Sequence, residues 1–335
     1  MSEYNFQILV CGGTGCKASE SEEIRSSFVN LLNEYGLEEE VQVVLTDCFG
    51  FCEKGPIVKM MPDKTVYVRV KPSDADEIIK EHIVKGNQVE RLLYRDPVTG
   101  TVVRDRQHME FYKKQIRIAL RNCGFINPEE IDEYIAHDGY MALGTCLTEM
   151  KPMEVIEQIK KSGLRGRGGG GFPTGLKWEI TAKVPGDQKY VVCNVDEGDP
   201  GAFMDRSILE GDPHTVIEAM IINGYCTGAS KGLVYIRAEY PLAISRLKIA
   251  LAQARAYGLL GDDILGSGFN FDIEIRYGAG AFVCGEETAL IHSMEGCRGE
   301  PTFKPPFPSV SGYLGKPTNV NNVETYANIP VIINK

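Results

Sequence analysis

Eleven residues, Arg165-Gly-Arg-Gly-Gly-Gly-Gly-Phe-Pro-Thr-Gly175, restrict this chain more than any other stretch. Six of them are glycine, two are arginine, and Lys177 follows closely. Glycine accepts positive φ at no steric cost and brings no side chain to keep a ligand off the backbone, but it is costly to order. A fold keeps such a run for a tight loop or an intimate ligand contact. Amides, guanidinium and ammonium together describe a seat for something flat, polar and negatively charged. A flexible linker would favour Gly and Ser without Arg, Phe and Pro at its rim. Gly166-x-Gly168-x-x-Gly171 fits a dinucleotide fingerprint, yet a helix rather than a strand precedes it, and no Gly-Lys-Ser/Thr follows to make a Walker A loop.

The 335 residues suit two or three domains, and 43% apolar content supports a sizeable core. A net charge of −10 argues against nucleic acid as the main partner. Residues 1–90 hold 9 basic against 16 acidic residues, a balance of −7; the remainder holds 27 against 30, a balance of −3. The first ninety residues therefore read as a separate unit. No signal-peptide pattern opens the chain, and no run approaches the roughly 18 apolar residues of a membrane span. Ten cysteines without such a signal point to a reducing, cytoplasmic setting.

Within the first unit, Phe6–Val10 reads as a strand, 19–35 as an amphipathic helix closed by Gly36, and 41–45 as a β-branched strand. A hairpin over Pro62-Asp63-Lys64 and a helix over 72–84 complete a small β-α-β-β-β-α domain. Cys11-x4-Cys16 and Cys48-x3-Cys52 each follow a strand end. Four thiolates from two loops suit a metal or iron–sulfur site, with zinc as the competitor. Residues 86–125 form a basic joint (Arg91, Arg95, Arg104, Arg106, Lys113, Lys114, Arg117 and Arg121), read as a solvated face, with a turn at Asp96–Gly100 and a helix over 111–122.

Asn127-Pro128-Glu129-Glu130 has the pattern of a helix start, and 150–161 that of a second helix. After the glycine loop, strands at 189–195, 232–237 and 271–277 alternate with helices at 214–225, 241–257 and 288–294. This α/β alternation predicts a mostly parallel, Rossmann-like sheet with helices on both faces and ligands beyond its carboxyl ends. There lie Asn194-Val-Asp196-Glu197-Gly-Asp199-Pro200-Gly201 and Gly278-Ala-Gly280 through Gly285-Glu286-Glu287, the latter opening a helix whose amides favour negative groups. Polar Thr318–Glu324 and Lys304-Pro-Pro-Phe-Pro308 come last. Cys123, Cys146, Cys193, Cys226, Cys284 and Cys297 show no ligand spacing, and the five histidines read as structural or solvated.

The cysteine spacing and element order of residues 5–85 resemble the thioredoxin-like [2Fe-2S] ferredoxins, with Cys11, Cys16, Cys48 and Cys52 as the ligands. From about residue 110 onward, five ordered motifs resemble the NADH-oxidising 51 kDa type flavoprotein subunit of complex I: 163–178, 193–201, 278–290, 304–308 and 320–325. The resemblance implies domains at 1–88, 89–125 (a basic linker and helix) and 126–335. It implies FMN held by Gly166, Arg167, Gly168, Gly169, Gly170, Lys177, Asn194, Asp196, Glu197, Gly285, Glu286, Glu287, Asn321 and Asn322. NAD(H) would stack near Phe172, Asp199, Phe282 and Phe307. The flavin carries the hydride, so no residue is assigned as catalytic, and Glu197 and Glu286 are the nearest candidates. Residue by residue, Lys177 and the amides suit a phosphate, the asparagines a ribityl chain, and the carboxylates ribose hydroxyls, unless one of them merely caps a helix.

The fused ferredoxin part, and Asp199 where the family has Glu, resemble the β subunit of soluble NAD(P)-linked [FeFe] hydrogenases. That implies a diaphorase working with a hydrogenase catalytic subunit, a small [2Fe-2S] subunit and a ferredoxin, with flavin-based bifurcation as an elaboration. Formate dehydrogenase or complex I-like β subunits and a non-catalytic relay are the alternatives. A [4Fe-4S] cluster is expected only in a C-terminal part beyond Lys335, after a ubiquitin-like domain. NADH against NADPH stays open.

Overall fold

The computed structural model describes residues 4–105, 108–199 and 201–335, so Arg106 of the basic joint and Pro200 of the acidic motif lie outside it. Two compact units result: residues 1–117 with 122–127, and residues 118–121 with 128–335.

In the first unit β1 (Phe6–Cys11) is followed by α1 (Ser21–Tyr35), β2 (Val41–Thr46), β3 (Val58–Met61) and β4 (Val66–Tyr67). The sheet order is β2-β1-β3-β4. β1 runs parallel to β2 and antiparallel to β3. α1 buries Ile24, Phe28 and Leu32, and Gly36 ends it with φ +67. That stripe packs with Ile8, Val10, Met60 and Tyr67 in the unit's core. The expected helix over 72–84 is a composite: a 3₁₀ turn at Pro72–Asp74, α-helix at Ala75–Ile78 and a π-helical stretch at Ile79–Val84. His82 explains part of this, because its ring bridges the Tyr67 hydroxyl (2.6 Å) and Asp63 (2.9 Å) and draws the stretch onto the hairpin.

A second hairpin, β5 (Tyr94–Arg95) and β6 (Val102–Val103), spans the turn at Asp96–Gly100. The helix expected over 111–122 is absent; only Glu110–Lys113 is helical. Tyr112 and Arg117 both bond the Phe49 carbonyl, and reaching it takes the chain out of helical register. Nor are the arginines all a solvated face. Arg91 binds Asp74 and Glu77, and Arg121 donates to Thr215 Oγ1 and the Ala327 carbonyl.

In the second unit come α2 (Ile131–Ala136), α3 (Met141–Glu149), α4 (Pro152–Lys161) and α5 (Thr174–Lys183). β7 (Tyr190–Val195), α6 (Met204–Gly211), α7 (Pro213–Thr227), β8 (Lys231–Arg237), α8 (Pro241–Ala256), β9 (Asp272–Gly278) and α9 (Glu287–Met294) follow. β10 (Thr318–Asn322), α10 (Val323–Ala327) and α11 (Ile329–Ile333) end the chain. α2 starts at Ile131 rather than at Asn127, because Glu130 remains extended (φ −126). The sheet, in the order β10-β7-β8-β9, is parallel throughout. α7 is buried along almost its whole length on one face, where Met220 closes on Gly232. On the other face Leu290 and Ile291 of α9 pack with Val192, Leu233 and Val320. Strand alternation sends neighbouring side chains to opposite faces, so both faces are covered. Among the described residues no helix is long and apolar enough to cross a membrane.

Candidate functional site

The glycine loop is pinned at its base and free at its tip. Arg165 pairs with Pro173, Gly166 N–H donates to the Phe172 carbonyl (2.9 Å), and Thr174 N–H to the Leu164 carbonyl (2.9 Å). Between those ties Gly169 and Gly171 take φ of +103 and +62, which L side chains rarely adopt. Gly168 approaches Asn322 so closely that a Cβ there would lie 3.2 Å from the Asn322 Cβ.

Two adjoining cavities open against this loop at the carboxyl ends of β7 and β10. One, of about 440 Å³, is lined by Gly166, Gly168, Gly170, Phe172, Thr174, Lys177, Asn194, Gly285, Glu286, Glu287, Lys304, Phe307, Asn321 and Asn322, among others. The other, of about 720 Å³, adds Arg167, Asp196, Glu197, Asp199, Asp205, Phe282 and Glu324. Of the eighteen FMN and NAD(H) candidates, only Gly169 lines neither cavity.

The smaller cavity holds the two lysines. Lys177 Nζ donates to the Val320 carbonyl (2.9 Å) and lies 3.2 Å from Glu287. Lys304 bridges Glu286 and Glu287, 2.9 Å from each. Burial opposes ionisation of Glu287, but Lys177 and Lys304 outweigh it and hold the carboxyl below its usual range. Glu286 is held to about 2 despite its burial by bonds from Thr288, Lys304 and Ala289. The Glu286 carboxylate accepts from the N–H groups of Thr288 and Ala289 and caps α9, so it occupies the helix start expected to attract a ligand anion. Glu197 does the same for α6, accepting from the N–H groups of Met204, Asp205 and Arg206. Two of the three carboxylates are thus caps, where one was considered.

The larger cavity is acidic. Asp196 is buried, and its carboxylate oxygens bond nothing among the described residues; Arg237 stands 3.5 Å away. Burial raises its pKa to about 6 against the pull of Arg237. Asp205 accepts from Asn322 Nδ2 (2.6 Å) and Glu324 N–H (3.3 Å). Burial first, then the Glu197 charge, raise it to about 7. A carboxyl with its folded pKa above its unfolded value stabilises below the unfolded pKa and loses that contribution as pH rises through the folded one. Asp205→Asn should therefore gain in stability over the wild type as pH rises from about 4 to about 7, by up to a few kcal/mol, seen as a growing difference in melting temperature. A constant difference across a pH series of melting curves would refute this.

Phe172, Phe282 and Phe307 are exposed at the rims, as aromatic faces awaiting a flat ligand would be. Phe282 lies against Gly198, where a Cβ would fall 2.7 Å from its ring. Asp199 ties its own loop, accepting from Gly201 N–H at 3.2 Å. Sequence reasoning missed Lys304, Asp205, Thr174 and Glu324 as lining residues. Lys304 lay within a motif already noted, whereas Asp205 carries no local signal.

In the first unit the four cysteines lie near enough to one another to interact electrostatically. Cys11 and Cys16 are buried, Cys48 is half-buried and Cys52 exposed. Cys11 is pushed up to about 12, chiefly by its hydrogen bond to Cys16, which is lowered in turn. Bonding to Cys11 and burial raise Cys48, and burial with the Cys48 charge raises Cys52. Thiols this crowded ionise together only around cations. Among the described residues no three His, Cys, Asp or Glu side chains converge as they would on one ion; a two-iron cluster takes two thiolates per iron. The backbone leaves the sulfurs room, since a Cβ on Gly13 would lie 2.8 Å from Cys48 Sγ and one on Gly55 2.7 Å from Cys16 Sγ.

Comparisons with known proteins bear on both units. The Nuo51 FMN-binding domain family matches residues 159–331, and the thioredoxin-like [2Fe-2S] ferredoxin family matches residues 3–82. The NADP-reducing hydrogenase subunit HndC of Solidesulfovibrio fructosivorans is 70% identical over 66% of this chain and 45% of its own length. The NAD-reducing hydrogenase HoxS subunit alpha of Cupriavidus necator is 42% identical over 86% of this chain and 46% of its own. An NADH-quinone oxidoreductase polypeptide of Rhizobium meliloti is 50% identical over 64% of this chain and 51% of its own. The chain thus spans about half the length of the curated relatives it matches. A crystal structure of NAD+-reducing [NiFe]-hydrogenase superposes on all of this chain and 53% of its own, with a TM-score of 0.55 and 26% identity.

Proposed function

The chain belongs to the Nuo51 FMN-binding family, with a thioredoxin-like [2Fe-2S] ferredoxin domain ahead of it, and from this we infer the diaphorase part of an NAD(P)-linked hydrogenase. One observation carries the choice of complex. The HoxS alpha subunit aligns over 86% of the chain, so the match runs into the cysteine unit, whereas the NADH-quinone oxidoreductase relatives align over 61–64%.

The loop and cavities fit a flavin mononucleotide. Lys177 and the loop amides would hold its anionic end, and Asn194, Asn321 and Asn322 its polar chain. The unbonded Asp196 carboxylate and Thr174 hydroxyl supply partners that nothing else in the described protein uses. FMN supplies the switch between two-electron hydride acceptance and one-electron release. The chain's own residues seat and orient it. Phe172, Phe282 and Phe307 flank a nicotinamide substrate, and the caps made by Glu197 and Glu286 fix the two helices whose starts edge the site. Asp196 and Asp205, raised by burial, can each hold a proton at a fixed carboxyl near neutral pH. Cys11, Cys16, Cys48 and Cys52 would hold the [2Fe-2S] cluster, which when bound supplies single-electron transfer. The partners on this reading are a hydrogenase catalytic subunit and a small [2Fe-2S] subunit. A cytoplasmic setting is in keeping with ten cysteines, none of them in a disulfide.

Anaerobic reconstitution with FMN, iron and sulfide, followed by steady-state reduction of a viologen acceptor with NADH and with NADPH, tests the reading. Turnover with at least one of the two is expected. A chain that binds FMN yet reduces it with neither refutes the diaphorase assignment.

A further inference from the structure

The segment after the second hairpin folds back over the cysteine loop of its own unit, and two of its side chains meet on one peptide group. The Phe49 carbonyl accepts from the Tyr112 hydroxyl at 2.7 Å and from Arg117 Nη2 at 3.1 Å. The other end of that peptide, the Gly50 N–H, donates to Cys48 Sγ at 3.3 Å. Gly50 is suited to the position twice over. Its φ is +76, and a Cβ would lie 2.6 Å from Arg117 Nη2. Arg117 is half-buried with its charge stacked 5.2 Å from the Tyr112 ring, and its Nη1 is buried without a hydrogen-bond partner among the described residues. The charge is therefore weakly screened and directed at this carbonyl.

Hydrogen bonds in series polarise one another. A cation on the carbonyl end makes the amide end a stronger donor, here to a cluster sulfur. Reduction of a [2Fe-2S] cluster adds one negative charge spread over its sulfurs, and donors to sulfur together with nearby positive charge favour that form. We propose that Arg117, acting through the Phe49–Gly50 peptide with Tyr112 beside it, is a positioning residue that raises the reduction potential of the cluster. One electron enters the cluster, no protein bond forms or breaks, and Arg117 keeps its proton. Tyr112 and Arg117 lie outside residues 3–82, so the ferredoxin family's own match contains the Phe49–Gly50 peptide but not the side chains that act on it. It rests on the reading of the four cysteines as a [2Fe-2S] site.

The test is an EPR-monitored redox titration of the full reconstituted chain. Arg117→Met should cut the reduced-to-oxidised ratio at a fixed poise by about tenfold, a fall of ~59 mV for one electron. Arg117→Lys should recover most of it, and Tyr112→Phe should shift the midpoint the same way by less. A midpoint that stays or rises in Arg117→Met at full cluster content overturns the proposal. Should Arg117→Met fail to hold a cluster, Tyr112→Phe decides, and an unmoved midpoint there overturns it. A wild-type chain that takes up no visible-absorbing cluster sinks the cysteine reading and the proposal with it; a cluster-loaded chain with unmoved variants sinks the proposal alone.

Discussion

Lys177→Met should weaken FMN binding by about a hundredfold, a loss of ~2.7 kcal/mol, as read from quenching of flavin fluorescence titrated with the metal-free chain. The size follows from the surroundings. Lys177 is three-quarters buried and shares the smaller cavity with Glu287 and Lys304. Charge-assisted hydrogen bonds of this kind contribute roughly 1.5–3 kcal/mol each. Lys304 is already committed to Glu286 and Glu287, so it cannot replace the lost charge without releasing one of them. Removing Lys177 also leaves the Glu287 carboxylate less well neutralised and turned toward an incoming phosphate. A change smaller than about threefold would remove Lys177 from the flavin seat.

The second large effect lies far from any ligand. Glu218→Ala should destabilise the second unit by about 3–5 kcal/mol, lowering its melting temperature by roughly 10 °C. Glu218 sits in the middle of α7 with no exposure, accepting from the Tyr134 hydroxyl and from Leu143 N–H at 3.0 Å. Truncation strands both donors away from water. Glu218→Gln keeps an acceptor of the same shape and should cost far less. Burial already pushes the Glu218 pKa up, so removing its charge relieves a penalty that grows with pH. Equal losses in the two variants, compared by calorimetry, would show that side-chain volume rather than the bonds decides.

How much of this was legible in the sequence depended on how far each residue's partner lay. β7 and β8 announced themselves as apolar runs because both of their faces are covered, β9 as an alternating edge strand with Ile273 buried beside exposed Glu274, and the cysteine pairs because loop spacing is a local property. β10 did not. Thr-Asn-Val-Asn-Asn reads as polar loop, yet Thr318, Asn319 and Asn321 are buried, since Asn321 donates to Asn319 and Tyr326, and Asn319 to Thr181. Only the finished fold supplies those acceptors. α5 was hidden behind Pro173 and Gly175, residues that look like loop continuing. Gly175 is there because a Cβ would fall 2.7 Å from the Lys160 backbone nitrogen, where α5 meets α4. Asp205 is an ordinary residue within α6 until Asn322 and Glu324 reach it. The expected helix over 111–122 failed for a related reason, since one carbonyl in the cysteine loop outbid the local preference.

The pairing of β10 with β7 bears on how the protein is made. Tyr190 pairs with Lys231 on one side but finds its second neighbour only when Thr318 arrives, and Asn321 and Asn322 complete a pocket whose glycine loop was synthesised far earlier. At 5–20 residues per second the ribosome takes on the order of ten seconds to cover that gap. Throughout it, the open edge of β7 and the finished glycine loop wait without their closing strand. Flavin loading of this unit therefore waits for β10, and a nascent chain stalled before β10 should emerge without bound flavin from a cell rich in FMN.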